Sequence, residues 1–148
     1  MLPNTYQQIE YIQSSGTQRI DTGYQFTQGY RLICDALFTS NVNEQYFCGT
    51  FNWATRCYSV IYGSRFNLGV VSDNISSFYP TANTKYALDI STISGDAYIK
   101  VDGNSVISLT TTYTAPSLNL WLFQMNANNS PLMTSASMRL YGHTRLYD

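Results

Sequence analysis

No stretch of this chain carries apolar residues at the three-to-four spacing of a long helix. What recurs instead is a short run rich in Val, Ile, Tyr, Phe and Thr, closed by Gly, Asn, Asp or Ser. β-branched and aromatic residues lose rotamer freedom in a helix but pack well on a pleated surface. The pattern predicts strands at Gln8–Gln13, Gln18–Thr22, Arg31–Phe38, Tyr46–Phe51, Cys57–Tyr62, Phe66–Val71, Lys85–Ser91, Ala97–Val101, Ser105–Leu109, Leu118–Met125 and Ser137–Tyr147, the last bending or breaking at Gly142. Two tight hairpins are signalled, at Asp102-Gly103 and at Gly63-Ser64. Asp-Gly is favoured there because both central residues of such a turn need positive φ. So many strands cannot lie in one open twisted sheet without curling or splitting. The expectation is a single all-β domain over residues 1–148, a two-sheet antiparallel sandwich.

The remaining segments, 51–56, 73–83, 111–117 and 126–134, read as loops. Polarity along the chain comes from uncharged groups: 16 Thr, 16 Ser, 12 Asn and 8 Gln, against only 8 Lys plus Arg and 9 Asp plus Glu. A net charge of −1 gives no overall basic footprint for nucleic acid. No apolar run approaches a membrane span, so membrane insertion is not expected. The N-terminus lacks a basic region followed by an apolar stretch, and no secretory signal is expected in it. Three irregularly spaced cysteines, Cys34, Cys48 and Cys57, read as free thiols rather than a disulfide framework, although a Cys48–Cys57 bridge across a hairpin is conceivable.

Sugar recognition needs an apolar face to stack on a pyranose and fixed polar groups around it. Trp53 is the best stacking candidate, in a segment that also offers Asn52 and Arg56, with Tyr62 and Tyr79 able to join it. The competing reading has Trp53 capping the end of the core. Trp121 alternates with Asn119, Phe123 and Met125 and reads as a core residue of a strand apolar on both faces. The 13 tyrosines suit either a glycan surface or a subunit contact, since a Tyr ring contributes area while its hydroxyl still finds a partner. The lone His143 sits beside Gly142 and Thr144 with no nucleophile motif near it, so neither a catalytic triad nor a transition-metal site is expected.

Specific strings sharpen this picture. The opening Leu2-Pro3 with Glu10-Tyr11-Ile12-Gln13-Ser14-Ser15-Gly16-Thr17-Gln18 and Ile20-Asp21-Thr22-Gly23 resembles the start of laminin-G-like, concanavalin A-like domains of phages and gut-bacterial surface proteins. Phe47-Cys48-Gly49, the Ala97–Gly103 hairpin, the 118–124 strand and the closing Ala136–Tyr141 with Leu146-Tyr147-Asp148 follow in the family's order. Gly142-His143-Thr144-Arg145 departs from it, standing where relatives carry bulkier strand formers.

The resemblance implies a jelly roll whose first strand pairs near its last. It also implies a non-catalytic module that binds cell-surface carbohydrate on a phage virion, tail fibre or bacterial surface. The alternative is a structural decoration or oligomerisation unit without a glycan ligand. By the same analogy a homotrimer is an expectation. Glycosidases of the concanavalin A-like class place paired carboxylates on one strand face. Here the two glutamates, Glu10 and Glu44, are far apart in sequence, and Asp89 and Asp96 are separated by a turn. No enzyme activity is therefore expected. Laminin-G-like domains sometimes bind one Ca²⁺ through loop oxygens, a ligand set without a readable spacing. Asp73, Asn74 and Asn128 are the candidates for such an ion.

Overall fold

The computed structural model describes residues 10–40, 44–132, 134–142 and 144–147; His143 lies outside them, with no placement to weigh against its reading. The described residues form strands and connecting turns, with no helix among them. The first half of the chain supplies β1 (Tyr11–Ser15), β2 (Ile20–Gln25), β3 (Arg31–Phe38), β4 (Gln45–Phe51), β5 (Arg56–Tyr62), β6 (Arg65–Val70) and β7 (Ser72–Ile75). The second supplies β8 (Lys85–Ile93), β9 (Asp96–Val101), β10 (Asn104–Leu109), β11 (Asn119–Leu122), β12 (Met125–Ala127), β13 (Ser130–Leu132), β14 (Thr134–Ser135), β15 (Ser137–Tyr141) and β16 (Arg145–Tyr147). They make two sheets. One runs β1-β15-β3-β8-β9-β10 with β16 also on β3; the other runs β13-β12-β4-β5-β6-β7 with β2, β11 and β14 attached. Pairing is antiparallel except where β12 and β14 lie parallel to β4. The all-β sandwich expected from the sequence is what the chain adopts.

Local chemistry explains the layout. The first strand does pair with the last long one, Tyr11 opposite Tyr141. Both expected hairpins form. Asp102 and Gly103 have φ of 49° and 81°, and Gly63 and Ser64 have 57° and 61°, the left-handed pair such turns require. The final strand breaks at Gly142, giving β15 and β16, each pairing with β3. Three expectations fail, one of them the start of the 73–83 loop, which is β7. The 126–134 segment is not a loop but folds back as β12, β13 and β14 around an Asn128-Asn129 turn. The single strand expected at 118–125 breaks because Phe123 takes φ of 65°, turning its ring into the core beside Leu120.

Between the sheets lies one apolar cluster. β3 alternates strictly, with Leu32, Cys34, Ala36 and Phe38 inward. Phe38, Phe47 and Phe66 meet edge to face at 5.5–5.9 Å between centroids, and Phe78 stacks on Phe66 at 5.7 Å. A line of polar atoms crosses this interior. Tyr30 Oη lies 3.0 Å from Cys48 Sγ, which lies 2.9 Å from Ser59 Oγ. Cys57 Sγ lies 2.9 Å from Thr92 Oγ1 and accepts from Tyr113 at 3.3 Å, while Thr92 Oγ1 accepts from the Tyr30 amide at 3.0 Å. All three cysteines are free and buried. Burial pushes Cys48 up to about 12 and Cys57 up to about 11, so both stay neutral thiols at physiological pH.

On the outer face of the first sheet, Arg31 donates to both carboxylate oxygens of Asp89 at 2.8 Å. Those hydrogen bonds hold the Asp89 carboxyl below the usual carboxylate range, against the opposing effect of its partial burial. A carboxyl whose pKa falls on folding stabilises above its unfolded value near 4, and that contribution is lost as the pH drops through its folded value. With the Arg31 side chain 39% exposed, solvent screens the pair. Asp89→Asn is therefore expected to lower stability by about 1 kcal/mol at pH 7. In urea titrations the gap from wild type should narrow as the pH falls below 4; an unchanged gap there would show that the ionised carboxylate is not the cause.

Candidate functional site

The outward face of the second sheet carries the strongest concentration of aromatic and polar groups. Strand register lines up Trp121, Gly49, Tyr58, Gly69 and Asp73 in one row across β11, β4, β5, β6 and β7. The two glycines on either side of Tyr58 explain how its ring is held. A Cβ on Gly69 would sit 2.3 Å from the Tyr58 ring, so the bare backbone of β6 lets that ring lie across it. From there the Tyr58 hydroxyl donates to Asp73 Oδ1. The next outward row is Tyr46, Val60, Asn67 and Ile75. Tyr46 and Tyr58 meet edge to face at 5.3 Å and, with Val60 and Met125, form a second apolar cluster against which Phe51 packs.

The β4–β5 turn then raises an aromatic off this surface. Asn52 Oδ1 accepts from the amides of Ala54 at 2.9 Å and Thr55 at 2.7 Å, closing the turn. Trp53 stands at its tip, 86% exposed, in edge-to-face contact with Phe51 at 5.5 Å between centroids. It does not cap the core. Arg56 reaches back from the start of β5, its guanidinium 5.7 Å from the Phe51 ring centre and 3.3 Å from Asp73 Oδ2. Beside them is a cavity of about 300 Å³ lined by Glu44, Tyr46, Tyr58, Tyr62, Asn67, Asp73 and Ile75. Burial pushes the Tyr46 hydroxyl up to about 12, and burial with the Asp73 bond raises that of Tyr58 further. Both are neutral at physiological pH; the Tyr58 proton is committed to Asp73, which leaves its oxygen to accept.

The sequence candidates distribute unevenly over this surface. Trp53, Arg56 and Tyr62 stand on it. Asn52 belongs to it as the turn's scaffold, since its side-chain oxygen is committed to backbone amides. Tyr79 is exposed further along the same face, its ring 5.6 Å from the guanidinium of Arg65, which pairs with Tyr62. Asp73 and Asn74, expected in a loop, are in β7. Asn74 spends its amide on the carbonyls of Ser72 at 2.8 Å and Leu68 at 3.1 Å.

Asn128 sits at the β12–β13 turn, and β12 and β7 are four strand spacings apart in this sheet, about 19 Å. Ligands of one calcium ion lie within about 2.6 Å of it. Asp73, Asn74 and Asn128 therefore cannot share an ion, and the two Asp73 oxygens are already held by Tyr58 and Arg56. Among the described residues no cluster of three His, Cys, Asp or Glu side chains forms a metal site.

Sequence reasoning missed Glu44, Tyr46, Tyr58, Asn67 and Ile75. The outward parity of Tyr58, Val60 and Tyr62 is written in β5, but every residue from Cys57 to Ile61 is buried, so alternation gave no way to choose a face. Trp121 is buried as expected but outside the inter-sheet cluster: it faces outward, covered by the Arg19 guanidinium at 4.4 Å.

The sequence matches no family model and no curated protein. Among solved structures the chain is similar to the crystal structure of the Caenorhabditis elegans galectin LEC-6, at 14% identity and a TM-score of 0.54. The match covers 92% of this chain and 96% of that one. At that identity the likeness is one of fold. The chain shares that structure's jelly-roll sandwich fold.

Proposed function

We propose that this chain is a non-catalytic carbohydrate-binding module whose site is the outward face of β4 to β7. The observation that carries the reading is Trp53: a large ring presented to solvent on a hydrogen-bonded turn, next to the Arg56–Asp73 pair and the Tyr58 and Tyr46 hydroxyls. A pyranose stacked on that ring would bring its hydroxyls to a donor and an acceptor already fixed in place, so little ordering entropy is lost on binding. The shared sandwich of a galectin supports the reading at the level of fold. The opening and closing motifs support a laminin-G-like module presented on a phage tail or fibre, or on a bacterial surface, where the ligand is a cell-surface glycan.

Because Asp73 is engaged by Arg56 and Tyr58, the proposed recognition needs no calcium. The test is binding of the purified protein to a panel of bacterial surface glycans, with and without a chelator. Specific binding that survives chelation is the expected result, and loss on chelation would place a metal in the site. Absence of binding across the panel, from a protein that runs as a stable trimer, would overturn the reading in favour of a structural virion part.

A further inference from the structure

The opposite face of the sandwich is chemically unlike the platform. Outward positions of the first sheet hold Arg31, Lys85, Lys100, Arg139 and Arg145, five of the eight cations in the chain. Against them stand Asp35, Asp89, Asp102, whose carboxylate accepts from the Ala87 amide, and, at the rim, Asp96. Arg31 is paired with Asp89, and Lys85 reaches Asp35 at 3.1 Å. Lys100 and Arg139 have no carboxylate within ion-pair distance among the described residues.

The cations are held in place by tyrosines. Lys85 Nζ lies 4.4 Å from the Tyr141 ring centre, Arg139 lies 4.6 Å from that of Tyr11, and Lys100 Nζ lies 4.4 Å from that of Tyr98. One side of each ring is therefore taken by a cation. Gln13 further fixes Arg139 through a 2.9 Å hydrogen bond. In register, Arg145 and Lys100 are separated by three strand spacings, about 14 Å, and Arg139 and Lys85 by two, about 10 Å. The result is a grid of spaced positive groups, three of them held against tyrosine rings.

We propose that this face binds a linear polysaccharide that carries carboxylates. Guanidinium groups match carboxylates in geometry, and spaced cations suit a ligand whose charges repeat along a chain. Tyr147 is the one large hydrophobic residue on this face that is well exposed, so there is little to enter a bilayer. The inference stands independently of the platform.

Affinity electrophoresis of the whole chain through gels containing polygalacturonate or neutral dextran tests it. Polygalacturonate is expected to retard the protein at low ionic strength but not at about 1 M salt, where the screening length falls to about 3 Å. Dextran should not retard it. The triple variant Lys100→Gln, Arg139→Gln, Arg145→Gln should bind polygalacturonate at least about tenfold more weakly. Because Arg139 also supports Tyr11, the double variant Lys100→Gln, Arg145→Gln carries the test if the triple fails to fold, with a smaller loss of the same sign. No retardation of the wild type, equal retardation of the variants, or binding to phosphatidylserine vesicles but not to polygalacturonate would overturn the proposal.

Discussion

Gly49→Ala should cost this protein about 3 kcal/mol or more of its stability, a large share of the 5–15 kcal/mol typical of a domain. Gly49 has φ of 150°, and a Cβ there would stand 2.2 Å from Tyr58 Cβ, 2.5 Å from Tyr58 Cα and 2.7 Å from the Cys57 carbonyl oxygen. Two of those three atoms are main chain of the neighbouring strand, so no rotamer change relieves the clash. β4 would have to move away from β5 at the centre of the sheet, taking the Tyr58 row with it. Gly103 is the natural control. It also has positive φ, at 81°, but nothing lies within 4 Å of its added Cβ. Its replacement should cost about 1 kcal/mol, from backbone strain alone. Urea midpoints of both variants check this, and a Gly49→Ala variant no worse than Gly103→Ala would mean that the close approach is not what holds the strand pair.

Trp53→Ala is the second large effect, and its size lies in binding rather than folding. At 86% exposure, with one ring contact, the side chain contributes little to the folded state, so stability should change by no more than about 0.5 kcal/mol. A Trp that anchors a ligand is commonly worth about 2 kcal/mol or more. Its loss should weaken binding to whichever panel glycan is recognised by about thirtyfold. Equal affinity in the variant would remove Trp53 from the site. A fall in melting temperature with unchanged affinity would make it a structural residue after all.

How far the sequence reaches can be judged from single elements. β3 was legible from its apolar and β-branched run, although the outward Ile33 and Leu37 blur in sequence the period-two burial that the fold imposes. The 63–64 and 102–103 turns were legible because their chemistry is local. β4, β5 and β6 are buried on both faces, one by the core and the other by their own tyrosines, which erases the alternation. The break at Phe123 carries no signal, since a left-handed phenylalanine is imposed by packing rather than by preference. The site was half legible. Trp53 and Arg56 could be found because they lie together in a loop. That Arg56 meets Asp73, 17 residues on, depends on the register of two successive hairpins, which no single residue encodes.

The buried line through Tyr30, Cys48, Ser59, Cys57, Thr92 and Tyr113 has a geometric consequence. Interdigitated side chains such as Phe38, Phe47 and Phe66 already resist sliding of one layer over the other, but the attraction between alkyl and phenyl groups carries little direction of its own. Hydrogen bonds tolerate no such drift, because each depends on distance and angle. Two of these bonds join the sheets directly, Tyr30 to Cys48 and Thr92 to Cys57. They act as dowels between two boards: they fix the crossing angle and offset of the layers. A pair of buried thiols thus helps to hold the aromatic face on one side of the molecule in register with the cations on the other.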